Sequence, residues 1–179
     1  MEDTSKTLDY QNQLRHAKRA RKAGNRELAL VHYKSALLFQ PGDMNAMAAM
    51  AEIELALGRF SDLNQTYLAM AEHYAHGGFR LKAIALYKKL LKLPQNVTEP
   101  IGTISWKLRL AGLYGEQGFR VRQAQIILEV AASLGQEAAR FTEQALGIVS
   151  TVVDPVEEKG MTKLLGDVFQ GKPPVAPGK

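Results

Sequence analysis

Apolar residues along this chain recur at three- and four-residue spacing, and no stretch alternates apolar with polar as a half-buried strand would. The pattern predicts helices over about 5–23, 25–39, 44–57, 61–76, 79–92, 102–117, 120–134 and 136–151, with a weaker amphipathic stretch at 156–169. Leu8, Leu14, Ala17 and Ala20 give the first helix a thin apolar stripe, and Leu28, Ala29, Val31, Tyr33, Ala36 and Leu37 give the second a stronger one. The third, MNAMAAMAEIELAL, is rich in Ala and Met; small side chains let neighbours approach and Met fills irregular gaps. The fifth is apolar on one side (Leu81, Ile84, Ala85, Leu90, Leu91) and basic on the other. Gly24, Gly58, Gly77–Gly78, Gly118 and Gly135 fall just past the last periodic residues, where glycine ends a helix cheaply. Pro41–Gly42 closes the second helix, Asp43 is placed to cap the third, and Ser61 the fourth. Pro94 and Pro100 bracket a longer loop.

The stretch 67–92 returns 40 residues later: Ala71, Tyr74, Gly78, Phe79 and Arg80 recur as Ala111, Tyr114, Gly118, Phe119 and Arg120. A second spaced set, Ala17, Gly24, Ala29, Tyr33 and Ala36, is echoed 34 residues on by Ala51, Gly58, Leu63, Tyr67 and Met70. Self-similarity at such periods signals stacked repeats, each too thin to bury its own apolar face. Small residues suit the crossing of two helices in a hairpin, the aromatic fills the gap to the next hairpin, and glycine makes the turn. Over about residues 10–134 this set resembles the tetratricopeptide repeat family, a helix–turn–helix unit of 34 residues. The resemblance implies an all-α fold, a right-handed α-solenoid of stacked hairpins. It also implies an irregularity near helices four and five, because helix four both ends the second unit and opens the next. The expected organisation is a helical repeat domain over 1–152, a weak closing helix or capping segment over 153–170, and a disordered Pro/Gly-rich tail over 171–179.

Composition adds exclusions. Apolar residues make up 46% and charged residues 23%, as in ordinary globular domains. Cysteine is absent, which rules out disulfides, thiolate metal sites and cysteine nucleophiles. The opening MEDTSKTLDYQNQ lacks the apolar core of a secretory leader, and no apolar run approaches the ~20 residues that span a bilayer. The expected location is therefore cytoplasmic. The net charge of +5 is unevenly spread: residues 1–40 carry eight basic and four acidic side chains, residues 79–92 five basic and none acidic, residues 124–160 two basic and six acidic.

Catalytic chemistry finds no footing. HExxH, GxxxxGK[ST], GxSxG and GxGxxG are all missing, and the GGFR and QGFR glycines read as turns. His73 and His76, three apart, could share a metal, but a site needs three or four converging ligands. The expectation is no enzyme, no metal and no cofactor. The sharpest charged feature is RHAKRARK, Arg15–Lys22. Mapped on the family pattern, Gln11, Leu14, Lys18, Arg21 and Lys22 of the first unit, with Asn45, Ala48 and Glu52 of the second, line the inner surface. Some family members grip a peptide's terminal carboxylate with Lys, Arg and Asn at such positions, so these residues, Ala48 apart, are the candidate partner-binding set.

Three readings of function follow. The first is a non-enzymatic scaffold or adaptor binding a peptide or helix of a partner protein, preferably acidic. The second is a structural subunit of a larger assembly, self-association included. The third is a basic nucleic-acid-associated protein, for which stacking aromatics and a base-reading module are missing from both basic patches.

Overall fold

The computed structural model describes residues 2–94, 100–134 and 147. Seven helices are formed there: α1 Glu2–Lys22, α2 Arg26–Phe39, α3 Met44–Ala56, α4 Phe60–His76, α5 Arg80–Leu90, α6 Pro100–Glu116 and α7 Arg120–Leu134. No strand occurs among the described residues. The chain divides into two compact units at Thr98/Glu99, the first holding α1–α5 and the second α6 and α7. The expected helix at 136–151, the closing stretch and the tail lie outside the described residues, apart from helical Gly147.

Four inter-helix turns share one construction. Gly24, Gly58, Gly78 and Gly118 have φ of 78°, 68°, 78° and 78°, which only glycine adopts without strain. The next residue's N–H then reaches back over the turn: Asn25 to the Ala20 carbonyl (2.9 Å), Arg59 to Glu54 (2.9 Å), Phe79 to Tyr74 (2.8 Å) and Phe119 to Tyr114 (2.9 Å). Around each turn, equivalent positions do equivalent work. Seven residues before the glycine stand Ala17, Ala51, Ala71 and Ala111, all buried. Nine residues after it stand Tyr33, Tyr67, Tyr87 and Ile127, buried except for half-buried Tyr67. The turns at Gly58 and Gly78 are only one helix apart. α4 thus contributes Leu63, Tyr67 and Met70 to the α3–α4 turn unit and Ala71 and Tyr74 to the α4–α5 unit, as the sequence pattern anticipates.

Side-chain size at the crossings decides how closely helices meet. Ala17 and Ala29, the latter five residues past the turn glycine, are both fully buried in one core cluster, and α1 and α2 pack most extensively. Ala71 and Ala83 stand in the same relation where α4 packs closely on α5. At the α3–α4 turn the second alanine is replaced by fully buried Leu63, and these helices meet over a smaller area. In the second unit Gln123 takes that position and Gly115 gives way to it: a Cβ on Gly115 would lie 2.5 Å from the Gln123 amide. The first unit's core gathers Ala17, Ala20, Ala29, Leu30, Tyr33, Ala46, Met50 and Ile53, with Leu14, Leu37, Ala49 and Leu57 packed against it.

Several expectations are corrected. α2 buries Ala29, Leu30, Tyr33 and Ala36, while Leu28 and Val31 face outward. Its inner face is fixed by the alanines that must meet α1, and a helix turning about 100° per residue then carries Leu28 and Val31 away. α5 likewise buries Ala83, Ile84, Leu86, Tyr87 and Leu90, leaving Leu81 63% exposed and Ala85 exposed. Leu8 of α1 is exposed too. Asp43 caps α3, accepting from the Asn45 N–H at 2.9 Å. Ser61 does not cap α4: the Gly58 turn starts that helix at Phe60, with Arg59 at the cap position and no side-chain cap bond. Pro100 opens α6, where its missing N–H costs nothing.

Candidate functional site

A cleft of about 600 Å³ opens between α1 and α3. Tyr10, Leu14, Lys18 and Arg21 follow one another at four-, four- and three-residue steps along α1, so one helix face carries them all; Lys22 sits beside Arg21. α3 contributes Asn45, Ala46 and Ala49, and the α2–α3 connection contributes Asp43. Tyr33 of α2, only 3% exposed, also lines it from within the core. Small Ala46 and Ala49 keep the α3 wall low, which is why space remains between two neighbouring helices.

The charges in the cleft are three cations against one carboxylate. Asp43 is already committed: one oxygen caps α3, and the other accepts from the Tyr10 hydroxyl at 2.5 Å, tying α1 to the start of α3. Burial, and then the neighbouring Asp43, push the Tyr10 phenol up to about 12. Arg21 is committed as well. It donates to Glu52 at 2.6 Å. Tyr33 foremost, and Glu52 after it, hold Arg21 above its ordinary value against partial desolvation. That pair is exposed and contributes little stability, but it fixes where the guanidinium stands. Lys18 and Lys22 remain exposed and make no ion pair among the described residues.

Of the sequence-derived set, Leu14, Lys18, Arg21, Lys22 and Asn45 line this one cleft. Glu52 stands outside the lining, as the carboxylate that holds Arg21. Gln11 is exposed and does not line it, and Ala49 lines it where Ala48 was expected. Tyr10 was missed although it continues the Leu14–Lys18 face by one turn toward the N-terminus. Asp43 and Tyr33 were read only as a cap and a packing aromatic. The link from Tyr10 to Asp43, 33 residues apart, has no signature in local sequence.

No group of three or more His, Cys, Asp or Glu that could hold a metal ion converges among the described residues. His76 donates from Nδ1 to the Glu72 carbonyl at 2.7 Å, a local helix-end contact. His16 and His32 stack at 5.2 Å, and His32 hydrogen-bonds Gln13 at 2.8 Å. No described helix is long and apolar enough to cross a membrane. Comparison with family models, curated proteins and solved structures finds no match to this chain.

Proposed function

We propose that this chain is a non-enzymatic protein-interaction module that holds an acidic segment of a partner protein in the α1–α3 cleft. The observation that carries the reading is the pair of exposed lysines, Lys18 and Lys22, one helical turn apart and in no ion pair among the described residues, at a cleft lined by apolar and aromatic side chains. An acidic side chain or a terminal carboxylate would meet both ammonium groups, with Asn45 as a neutral donor opposite and Arg21 held beside them. Leu14, Ala46 and Ala49 would take the apolar side chains next to the acid. The repeated turn construction and the shared α4 further support a short, irregular right-handed α-solenoid of tetratricopeptide-like hairpins, the architecture in which such inner clefts form.

The test is selection from a random peptide display library on the immobilised full chain. Selected peptides should be enriched in Asp and Glu, and the double variant Lys18→Glu/Lys22→Glu should bind them at least ~10-fold more weakly, about 1.4 kcal/mol. Selection without acidic enrichment, or equal affinity for the double variant, would contradict the reading.

A second reading, an assembly subunit, draws on α2. Leu28, Val31 and Leu38, 82% exposed in the last case, lie on one helix face turned from the core. If that face is an interface, Val31→Glu with Leu38→Glu should dissociate an oligomer seen in sedimentation of the unmodified chain. A monomer at every concentration would remove this reading as far as self-assembly is concerned.

A further inference from the structure

The first unit carries a second cleft, of opposite character, that does not depend on the reading above. It measures about 200 Å³ and is lined by residues of α2, α3 and α4. Glu54 lies at its base with 0% of its surface exposed, and neither carboxyl oxygen has a hydrogen-bond partner among the described residues. An unpartnered buried carboxyl is rare, because each lost interaction costs free energy that folding must recover elsewhere.

Its origin is visible in the repeat. Four residues before the turn glycine, the α4–α5 and α6–α7 turns carry Tyr74 and Tyr114, which pack edge-on against Phe79 and Phe119 at 6.0 Å. The α3–α4 turn carries Glu54 at that place and Arg59 at the phenylalanine place. A charge pair has thus replaced an aromatic pair in sequence, yet the two charges do not meet. Arg59 turns to Glu27 at 2.8 Å and to Asp62 at 3.8 Å. Glu54 is left facing the cleft with Asp62 and Thr66, and the nearest cation of the lining, Lys34, is taken by Asp62 at 3.4 Å.

We propose that this cleft receives an arginine side chain from a partner protein. A guanidinium offers parallel donors that match two free carboxyl oxygens, and it sheds water more readily than an ammonium. Met47 and Met50 provide an apolar, polarisable wall for the methylenes and the guanidinium plane. The volume suits one side chain, not a small-molecule cofactor. Because Glu54 is fully covered, the arriving group must displace exposed rim side chains, and Lys34 and Gln65 are the movable ones. Burial, foremost, raises the empty site's carboxyl above its ordinary value, so arginine, which pairs with the carboxylate, binds more tightly as pH rises.

The experiment titrates the isotope-labelled full chain with n-butylguanidinium, and with n-butylurea as the uncharged control, at constant ionic strength. Backbone amide shifts around Met50, Glu54 and Thr66 should saturate with a dissociation constant on the order of millimolar. The affinity should be higher at pH 7.5 than at pH 4.5, and n-butylurea should be at least ~10-fold weaker. Glu54→Gln should lose ~10-fold or more, with the rest of the amide spectrum unchanged. Lys34→Gln, which removes the competing cation without touching Glu54, should bind more tightly. Equal binding of the two probes, equal binding by Glu54→Gln, no saturable shift, or unchanged or weaker binding by Lys34→Gln would each overturn the proposal.

Discussion

Glu54→Gln should make the stability of this chain less sensitive to a rise in pH above the ordinary carboxyl range. The native carboxyl is fully buried with both oxygens unsatisfied. Burial raises it above the usual range; the Thr66 hydroxyl facing it pulls the other way, Asp62 adds to the rise, and Lys34 and Arg59 subtract from it. Because the folded value lies above the unfolded one, the folded chain holds an extra proton over the interval between them. Stability therefore falls as pH rises from about 4.3, the unfolded carboxyl, through the folded value. The size of the fall is bounded from both sides. Stranding a buried polar group costs about 1–3 kcal/mol. The chain can always keep the proton instead, which at pH 7 costs no more than about 3.7 kcal/mol, since each pH unit above the ordinary value is worth about 1.4 kcal/mol. Glutamine has the same shape and cannot ionise. Its own unpaired amide adds a cost that does not change with pH, and Lys34, Arg59, Asp62 and Tyr67 surround both side chains alike. In urea unfolding, the stability of Glu54→Gln relative to the unmodified chain should grow by about 1–3 kcal/mol between pH 4 and pH 8. A difference that stays constant across that range would refute the assignment of Glu54 as a buried, unpartnered acid.

Two further tests address the turns and the cleft. Gly112 lies inside α6 with nothing within 4 Å of an added Cβ, so Gly112→Ala should stabilise by about 0.5–1 kcal/mol. Gly118 has equally open space but a φ of 78°, so Gly118→Ala should destabilise by about 1–2 kcal/mol; thermal melts giving both changes the same sign would discredit the turn geometry. Tyr10 has a phenol held near 12, so its contribution is intact below about 10 and is lost as pH rises toward 12. Alkaline titration of tyrosinate absorbance should show Tyr10→Phe missing one group near 12, and an unchanged titration in that range would break the Tyr10–Asp43 link.

Helix positions were largely readable in the sequence because glycine marks each turn, and the spacing of Ala17, Ala51, Ala71 and Ala111 fixes where hairpins cross. α7 was located to the residue, at Arg120–Leu134. Facing was harder. Leu28, Val31 and Leu81 are apolar yet exposed, because the inner face of a hairpin is chosen by alanines that must fit rather than by the largest apolar residues. The basic half of the cleft was reached by laying the pattern of the family that the repeats resemble onto the first helix, which singled out Leu14, Lys18 and Arg21. Its other wall depended on how α3 rotates against α1, which set Ala49 and not Ala48 in the lining. The isolation of Glu54 was not legible at all: Arg59 five residues away looks like its partner until the turn directs that guanidinium to Glu27.

The most direct measurement is an amide-resolved titration of the full chain with a tetra-aspartate peptide bearing a free C-terminus. If the α1–α3 cleft holds acidic segments, shifts will concentrate at Leu14, Lys18, Lys22, Asn45 and Ala49, saturate, fade at roughly 0.5 M salt, and vanish in Lys18→Glu/Lys22→Glu. Shifts that scatter over the surface, fail to saturate, or persist in the double variant would contradict it.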